Sequence, residues 1–400
     1  MASNYYRYVT TQLYQSGSTP NPVIAELPFT RVNFTSQLST VGTFTGELLL
    51  SGIDASTLNV DAGTTPGKVA LYVFKGSAIY WSGIIWNREW DSSTQILKIT
   101  AQEMISYYQH RRISGFTSSS FYNANAGGTG IGGLVYTAQD PITILSDILT
   151  GANAISHGNI GILEYGSSSS GGSVTRTYFD FEMKSVYQAW KDLSTSSTFF
   201  DFNISSQQTS SGIVNQLFVY SPTTGATYSA SSVSSINLQF PGNLVSYNYV
   251  EDGSRVANRV WGVGYGANQN RLITPYYDTD KLGTGKTWPL LEDTVNAIDV
   301  INLNLLNAIT SGKLAAISYP PTTIQAVIPS YIDPTYDKYN LGDQVKLMIT
   351  DDRFPSPSSG TPGLNAIYRI IGIDTEPGED GPDRITLTLN LPLATTLTNS

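Results

Sequence analysis

The segment Ala78–Asp91, AIYWSGIIWNREWD, carries three of the chain's six tryptophans and closes on Glu89, Trp90 and Asp91. Aromatic rings beside paired carboxylates suggest sugar binding or glycoside cleavage, in which two carboxyl groups face each other about 5 Å or 6.5–9.5 Å apart across the sugar. Glu89 and Asp91, however, stand two residues apart in what reads as a strand. Their side chains then share one face side by side and do not oppose each other across a cleft. Packing in a core or a subunit interface is the expected role of Trp81, Trp86 and Trp90, with Tyr80 and Ile84, and no catalytic residue is expected. By alternation, Tyr80, Ile84, Trp86 and Trp90 fall on one face and Ile79, Trp81 and Ile85 on the other. A strand apolar on both faces expects cover on both, from a core on one side and a neighbouring domain or subunit on the other.

Other spellings of active-site motifs lack their context. Gly285-Lys286-Thr287 is the tail of a phosphate-binding loop, but the position that needs a glycine is Asp280, whose charge would repel phosphate. Gly128 to Gly133 spells GxGxxG without a preceding apolar strand or an immediate helix N-terminus for a pyrophosphate, so a loop is expected. His110 and His157 are the only histidines and neither has a metal-ligand spacing. The acidic run from Asp374 to Asp380 lacks the alternating oxygens of a calcium loop. No metal and no cofactor is expected.

The elements around these residues are mostly strands. Only 13% of residues are charged, against a typical ~25%, while tyrosine alone contributes 25 residues. The net charge of −9 and an isoelectric point near 4.7 argue against gripping nucleic acid, which requires cations to displace phosphate counterions. There is no cysteine, hence no disulfide framework. No signal peptide and no membrane span are expected, because no run of ~18 apolar residues occurs and the N-terminus lacks a basic start followed by an apolar core. The chain is expected to be made soluble inside a cell.

From Tyr5 to Ile113 the pattern is strand after strand, with a hairpin turning at Lys75-Gly76. A Ser/Gly-rich stretch follows and flanks one helix, with Asp140 as N-cap, Pro141 in the first turn, Ile144, Leu145, Ile148 and Leu149 as its stripe and Gly151 as its end. A second helix is expected from about Met183 to Leu193, with Met183, Val186, Trp190 and Leu193 on one face. A hairpin is expected around Asp252-Gly253. A third helix is expected from about Leu290 to Ser311, with Glu292 and Asp293 in its first turn and Gly312 as its stop. The last strands, YRIIGID and RITLTLN, form a hairpin around EPGEDGPD.

The segment from Val69 to Ile113 resembles the N-terminal region of minor tail proteins of siphophages infecting actinobacteria, in its W-x-G-I-I-W strand, D-S turn and Y-Y-x-x-R run. VEDGSRVANRVWGVG resembles that family's second signature, and the C-terminal hairpin is similar to its usual one. The resemblance implies a tail-tip baseplate hub with a β-rich α+β fold: two tail-tube-like β-barrel domains with inserted helical and mixed segments. On that reading, 1–113 is the first barrel, 114–178 a Ser/Gly-rich insert with one helix, and 179–400 a second barrel interrupted near 290–312.

The implied partners are two further copies in a trimer, the distal tail ring, other tip or fibre proteins and the tape measure protein. DNA would pass through an acidic lumen without specific binding, and the place of residence would be the virion tail tip after assembly in the host cytoplasm. Many relatives continue into a spike, fibre or peptidoglycan-cleaving domain. None follows Leu393, so a structural and conduit role is expected, with a carbohydrate-binding module and, behind it, a glycoside hydrolase as rivals.

Overall fold

The structure, a computed structural model, describes residues 6–14, 22–51, 55–117, 120–124, 132–165, 169–194, 200–221, 223–229, 232, 235–298, 300–335, 338–358, 360–379 and 381–391. The chain forms two compact units, Met1–Tyr247 with Ala326–Pro392, and Asn248–Gln325 with Leu393–Ser400. Strands dominate, as the aromatic and β-branched composition requires: one sheet of thirteen strands and three sheets of three.

The large sheet grows from antiparallel ladders. Tyr6–Gln12 pairs with Val69–Lys75, followed by Ala78–Asp91, Ile96–Glu103, Thr43–Leu49 and Thr30–Gln37. Lys75 pairs with Ala78, so the turn is Gly76-Ser77, one residue later than expected, and Gly76 takes the φ of +62° that such a turn needs. The sheet then crosses the sequence, because Thr30–Gln37 pairs with Leu364–Glu376, whose hairpin partner is Arg384–Asn390. Strand-rich regions from opposite ends of the sequence are therefore one continuous sheet. Among the described residues its pairings trace an open path ending on Val23–Glu26, and none closes into a barrel.

Local signals decided some helices and not others. In Pro141–Ala154 the Asp140 carboxylate accepts from the Ile142 N–H at 2.8 Å, and the expected stripe is buried. The helix runs past Gly151, however. A Cβ there would sit 2.6 Å from the Phe116 ring, so this glycine serves close packing and not termination. The next helix is Val186–Ser194; Met183 lies before it, exposed and at φ +47°, and so is not on its buried face.

The expected helix at 290–311 is corrected. Glu292–Asn296 is a strand, paired in parallel with Arg259–Val263, and the helix is Leu303–Ile317, running through Gly312. Asn302 starts it by accepting from the N–H groups of Asn304 and Leu305 at 2.8 and 3.3 Å. The hairpin expected at Asp252-Gly253 is absent as well: Arg259–Val263 lies between Ile273–Tyr277 and Glu292–Asn296. The buried Asn258 explains the exchange, since its carboxamide donates to the Pro289 carbonyl at 2.7 Å and accepts from the Leu291 N–H at 2.9 Å. That clamp holds the third strand against the first.

In the first unit two cores flank the Ala78–Asp91 strand, with Ile84 in one and its neighbour Ile85 in the other. Ile84 joins Tyr72, Tyr108, Trp190 and the Pro141–Ala154 helix. Ile85 joins Phe34, Phe44, Leu48, Leu71 and Trp81.

Candidate functional site

Two β-bulges decide what the Ala78–Asp91 strand presents. Its ladder to Val69–Lys75 slips so that Trp81 opposes Val73 and Ile79 opposes Phe74, leaving Tyr80 extra. Its ladder to Ile96–Glu103 slips between Ile85 and Asn87, leaving Trp86 extra. Each extra residue interrupts alternation, which corrects the face assignment read from the sequence. Tyr80 packs with the core of Trp81, while Ile79 and Trp86 pack beside Ile84. Trp90, past the second bulge, pairs with Leu97 of the Trp81 core.

The tryptophans consequently do different things. Trp81 is buried, donates its Nε1–H to the Thr35 carbonyl at 3.0 Å and lies 5.5 Å from Phe44. Trp86 is half-buried, donates to Ser106 Oγ at 2.8 Å and stacks on His110 with 4.4 Å between ring centres. Trp90 is 49% exposed. Tyr80 is half-buried, and Ile84 is fully enclosed by side chains of this same chain.

The acids beside them face solvent. Glu89 and Asp91 are both exposed, and Asp91 accepts from the Ser93 N–H and hydroxyl at 2.9 and 2.6 Å, which hold its carboxyl down at about 2. It is a turn residue. Gly285-Lys286-Thr287 lies in an exposed loop that leads to no helix, with Gly285 at φ +80°. Of the GxGxxG spelling, 128–131 fall outside the described residues, and Gly133 opens a strand, Gly133–Gln139. His157 lies 5.1 Å from the Tyr14 ring. In the acidic run Asp374 accepts from Asn33 Nδ2 at 2.7 Å and Glu379 from the Arg31 N–H at 3.0 Å, while Asp380 falls outside the described residues. Among the described residues no group of three or more acids or histidines could hold a metal ion.

The charged groups that matter most gave no motif. Arg369, in the apolar strand Leu364–Glu376, is buried and ion-paired with Asp201, and also donates to the carbonyls of Gly342 and Thr224 at 3.1 and 3.0 Å. A lone arginine amid YRIIGID was the available signal. Lys75 and Tyr6 both reach Asp383, at 2.6 and 2.9 Å. Glu103 accepts from the Gly42 N–H at 2.7 Å, and burial pushes its carboxyl up to about 7. A buried polar chain also ties the tryptophan strand to Asp201–Thr209: Ser206 bonds Ser82 and Asn215 at 2.7 and 2.6 Å, and Asn215 donates to the Tyr72 hydroxyl at 3.2 Å.

Against Ala78–Ser82 and Asn203–Gln207 lies a cleft of about 700 Å³, which also takes in Phe218 and Tyr220 of Gly212–Tyr220. No sequence motif marks it, because its walls come from strands and loops far apart in the chain.

This fold is shared by solved structures of three tail proteins. Solved structures that share it are the tail protein from Neisseria meningitidis MC58, with TM-score 0.56, 12% identity and 96% of both chains covered, and the prophage MuSo2 43 kDa tail protein from Shewanella oneidensis, with TM-score 0.58, 10% identity and 96% and 98% covered. The prophage tail protein gp18 from Listeria monocytogenes EGD-e matches at TM-score 0.50 and 11% identity over 96% of this chain and 94% of its own. No protein-family model and no curated protein sequence matches the chain.

Proposed function

We propose that the protein is a virion structural subunit, the hub of a phage tail tip, which joins the tail tube to the tip proteins and serves host attachment and genome delivery. The observation that carries this reading is the extent of the likeness: 96% of the chain superposes on 96–98% of two tail proteins, so the common fold spans nearly all of this chain and not one part of it. The apolar surface of Asn248–Gln325 supports it, since exposed side chains such as Ile298, Ile301, Leu303 and Leu305 call for a protein partner.

On this reading three copies close a ring, each contributing two tail-tube-like barrels that complete their walls in the assembly. The ring docks on the distal tail ring, with fibre and tape measure proteins as further neighbours. The net charge of −9 suits a lumen past which DNA slides without sticking. The role is not enzymatic: Glu89 and Asp91 are exposed on a strand flank, and the buried carboxylates described above are engaged in structural bonds. Residence is the virion tail tip, after assembly in the host cytoplasm.

The deciding experiment is the mass of the purified protein by light scattering, followed by particle images. A trimer that gives threefold rings is expected. A monodisperse monomer that never joins tail partners overturns the reading.

A further inference from the structure

We infer that the cleft beside Ala78–Ser82 is a binding site for a neutral oligosaccharide. Its volume, about 700 Å³, lies within the roughly 300–1,000 Å³ of small-ligand sites. One wall is the hairpin of Asp201–Thr209 and Gly212–Tyr220. On it Phe218 and Tyr220, two apart on one strand, project to the same side and hold their rings parallel, 7° between planes and 6.0 Å between centres. Both rings are half-buried, so part of each remains open. A pyranose has a face of C–H groups that lies flat on such rings, whose faces carry negative charge density.

The hydroxyl edge of a sugar needs amide and hydroxyl partners, and these stand beside the rings. Asn203 is directly opposite Phe218 in the ladder, and Gln207 follows on the same side of its strand, with Asn340 also on the wall. The Asn203 carboxamide oxygen is buried without a hydrogen-bond partner, which costs free energy that a ligand hydroxyl at the neighbouring wall can recover once the carboxamide reorients.

Charge selects against the other ligand classes. Among the described residues no lysine, arginine or histidine lines the cleft, so phosphates and uronic acids find no cation there. Its carboxyl groups offer an anion no positive partner and are already engaged: Glu103 with the Gly42 N–H, and Asp343 with the N–H groups of Ala226 and Asn340 at 2.7 and 2.8 Å. Aromatic faces, amides and the absence of a lining cation together describe a neutral polyol.

This inference does not rest on the hub reading: a ring-forming protein that ignores sugars sinks one, and a sugar-binding monomer sinks the other. The experiment is saturation-transfer NMR and calorimetry on the full chain with maltotetraose, chitotetraose and galactotetraose, and with polygalacturonate as the anionic control. Binding of at least one neutral tetrasaccharide is expected, without polygalacturonate binding. Tyr220→Ala should weaken that binding about tenfold, the equivalent of ~1.4 kcal/mol. Because a half-buried ring can also matter for folding, Gln207→Trp on the exposed rim provides a second arm: it should block the cleft and abolish binding with an unchanged Tm. No transfer to any neutral tetrasaccharide, tighter binding of polygalacturonate, or binding that survives Gln207→Trp overturns the inference.

Discussion

The two units bury their apolar residues on different terms. In Met1–Tyr247 with Ala326–Pro392, two cores assemble long rosters of large side chains, with Trp190, Tyr72, Tyr108, Phe34 and Phe44 fully enclosed. In Asn248–Gln325 two clusters of only three buried hydrophobics each are seen among the described residues, Ala257, Val260 and Leu314 in one and Ala297, Val300 and Leu306 in the other. Yet half of the large hydrophobic side chains exposed among the described residues fall in that small segment, Ile301 at 73% and Ile298 at 61% among them. The first unit is stable through what it hides, whereas among the described residues the second leaves much of its apolar surface exposed.

That contrast can be broken by measurement. The largest effect is expected in the first unit: Trp81→Ala should cost about 3–5 kcal/mol and lower the main melting transition strongly, or abolish soluble expression. Arg369→Ala strands Asp201 as a buried uncompensated charge and should cost about 3–5 kcal/mol by chemical denaturation. If either change leaves the melt untouched, the first unit is not the stability centre. In the second unit Leu306→Ala should cost at the lower end of ~2–5 kcal/mol, because so small a cluster can collapse around the space, and its effect should appear in a separate, weaker transition.

Glu103 sharpens the comparison by pH. Its carboxyl is raised from 4.5 to about 7 in the folded chain, so between those values the folded state holds a proton that the unfolded state has released. Stability should fall as pH rises from about 4.5 to 7 and level off above, and Glu103→Gln should flatten that slope in denaturation midpoints measured across the window. Smallest of all, Ile301→Asp should shift stability by no more than about 0.5 kcal/mol while reducing the mass of the assembled species. An unchanged assembly would mean that the second unit's apolar surface has another purpose.

What the sequence made legible was what local chemistry determines. Asp140, Pro141 and the stripe from Ile144 to Leu149 determine a helix without help from elsewhere, whereas the hairpin at Gly76 is legible but its turn reads one residue early. Glu292 and Asp293 looked like a helical first turn because their strand character comes from Arg259–Val263, through a parallel pairing that no local pattern announces. The tryptophan strand shows the limit most closely. Its residue types called for apolar cover on both sides, but the bulges at Tyr80 and Trp86, set by neighbouring strands, reassigned the faces. The polar site was less visible still: Arg369 and Asp201 lie 168 residues apart, and the cleft walls meet only in the finished fold.

The pairing of Thr30–Gln37 with Leu364–Glu376 also has a consequence in time. Asn33 and Asp374, bonded across that ladder, are 341 residues apart, so nearly the whole chain must leave the ribosome before this junction can close. Until then Thr30–Gln37 presents one open edge on which another nascent copy can pair.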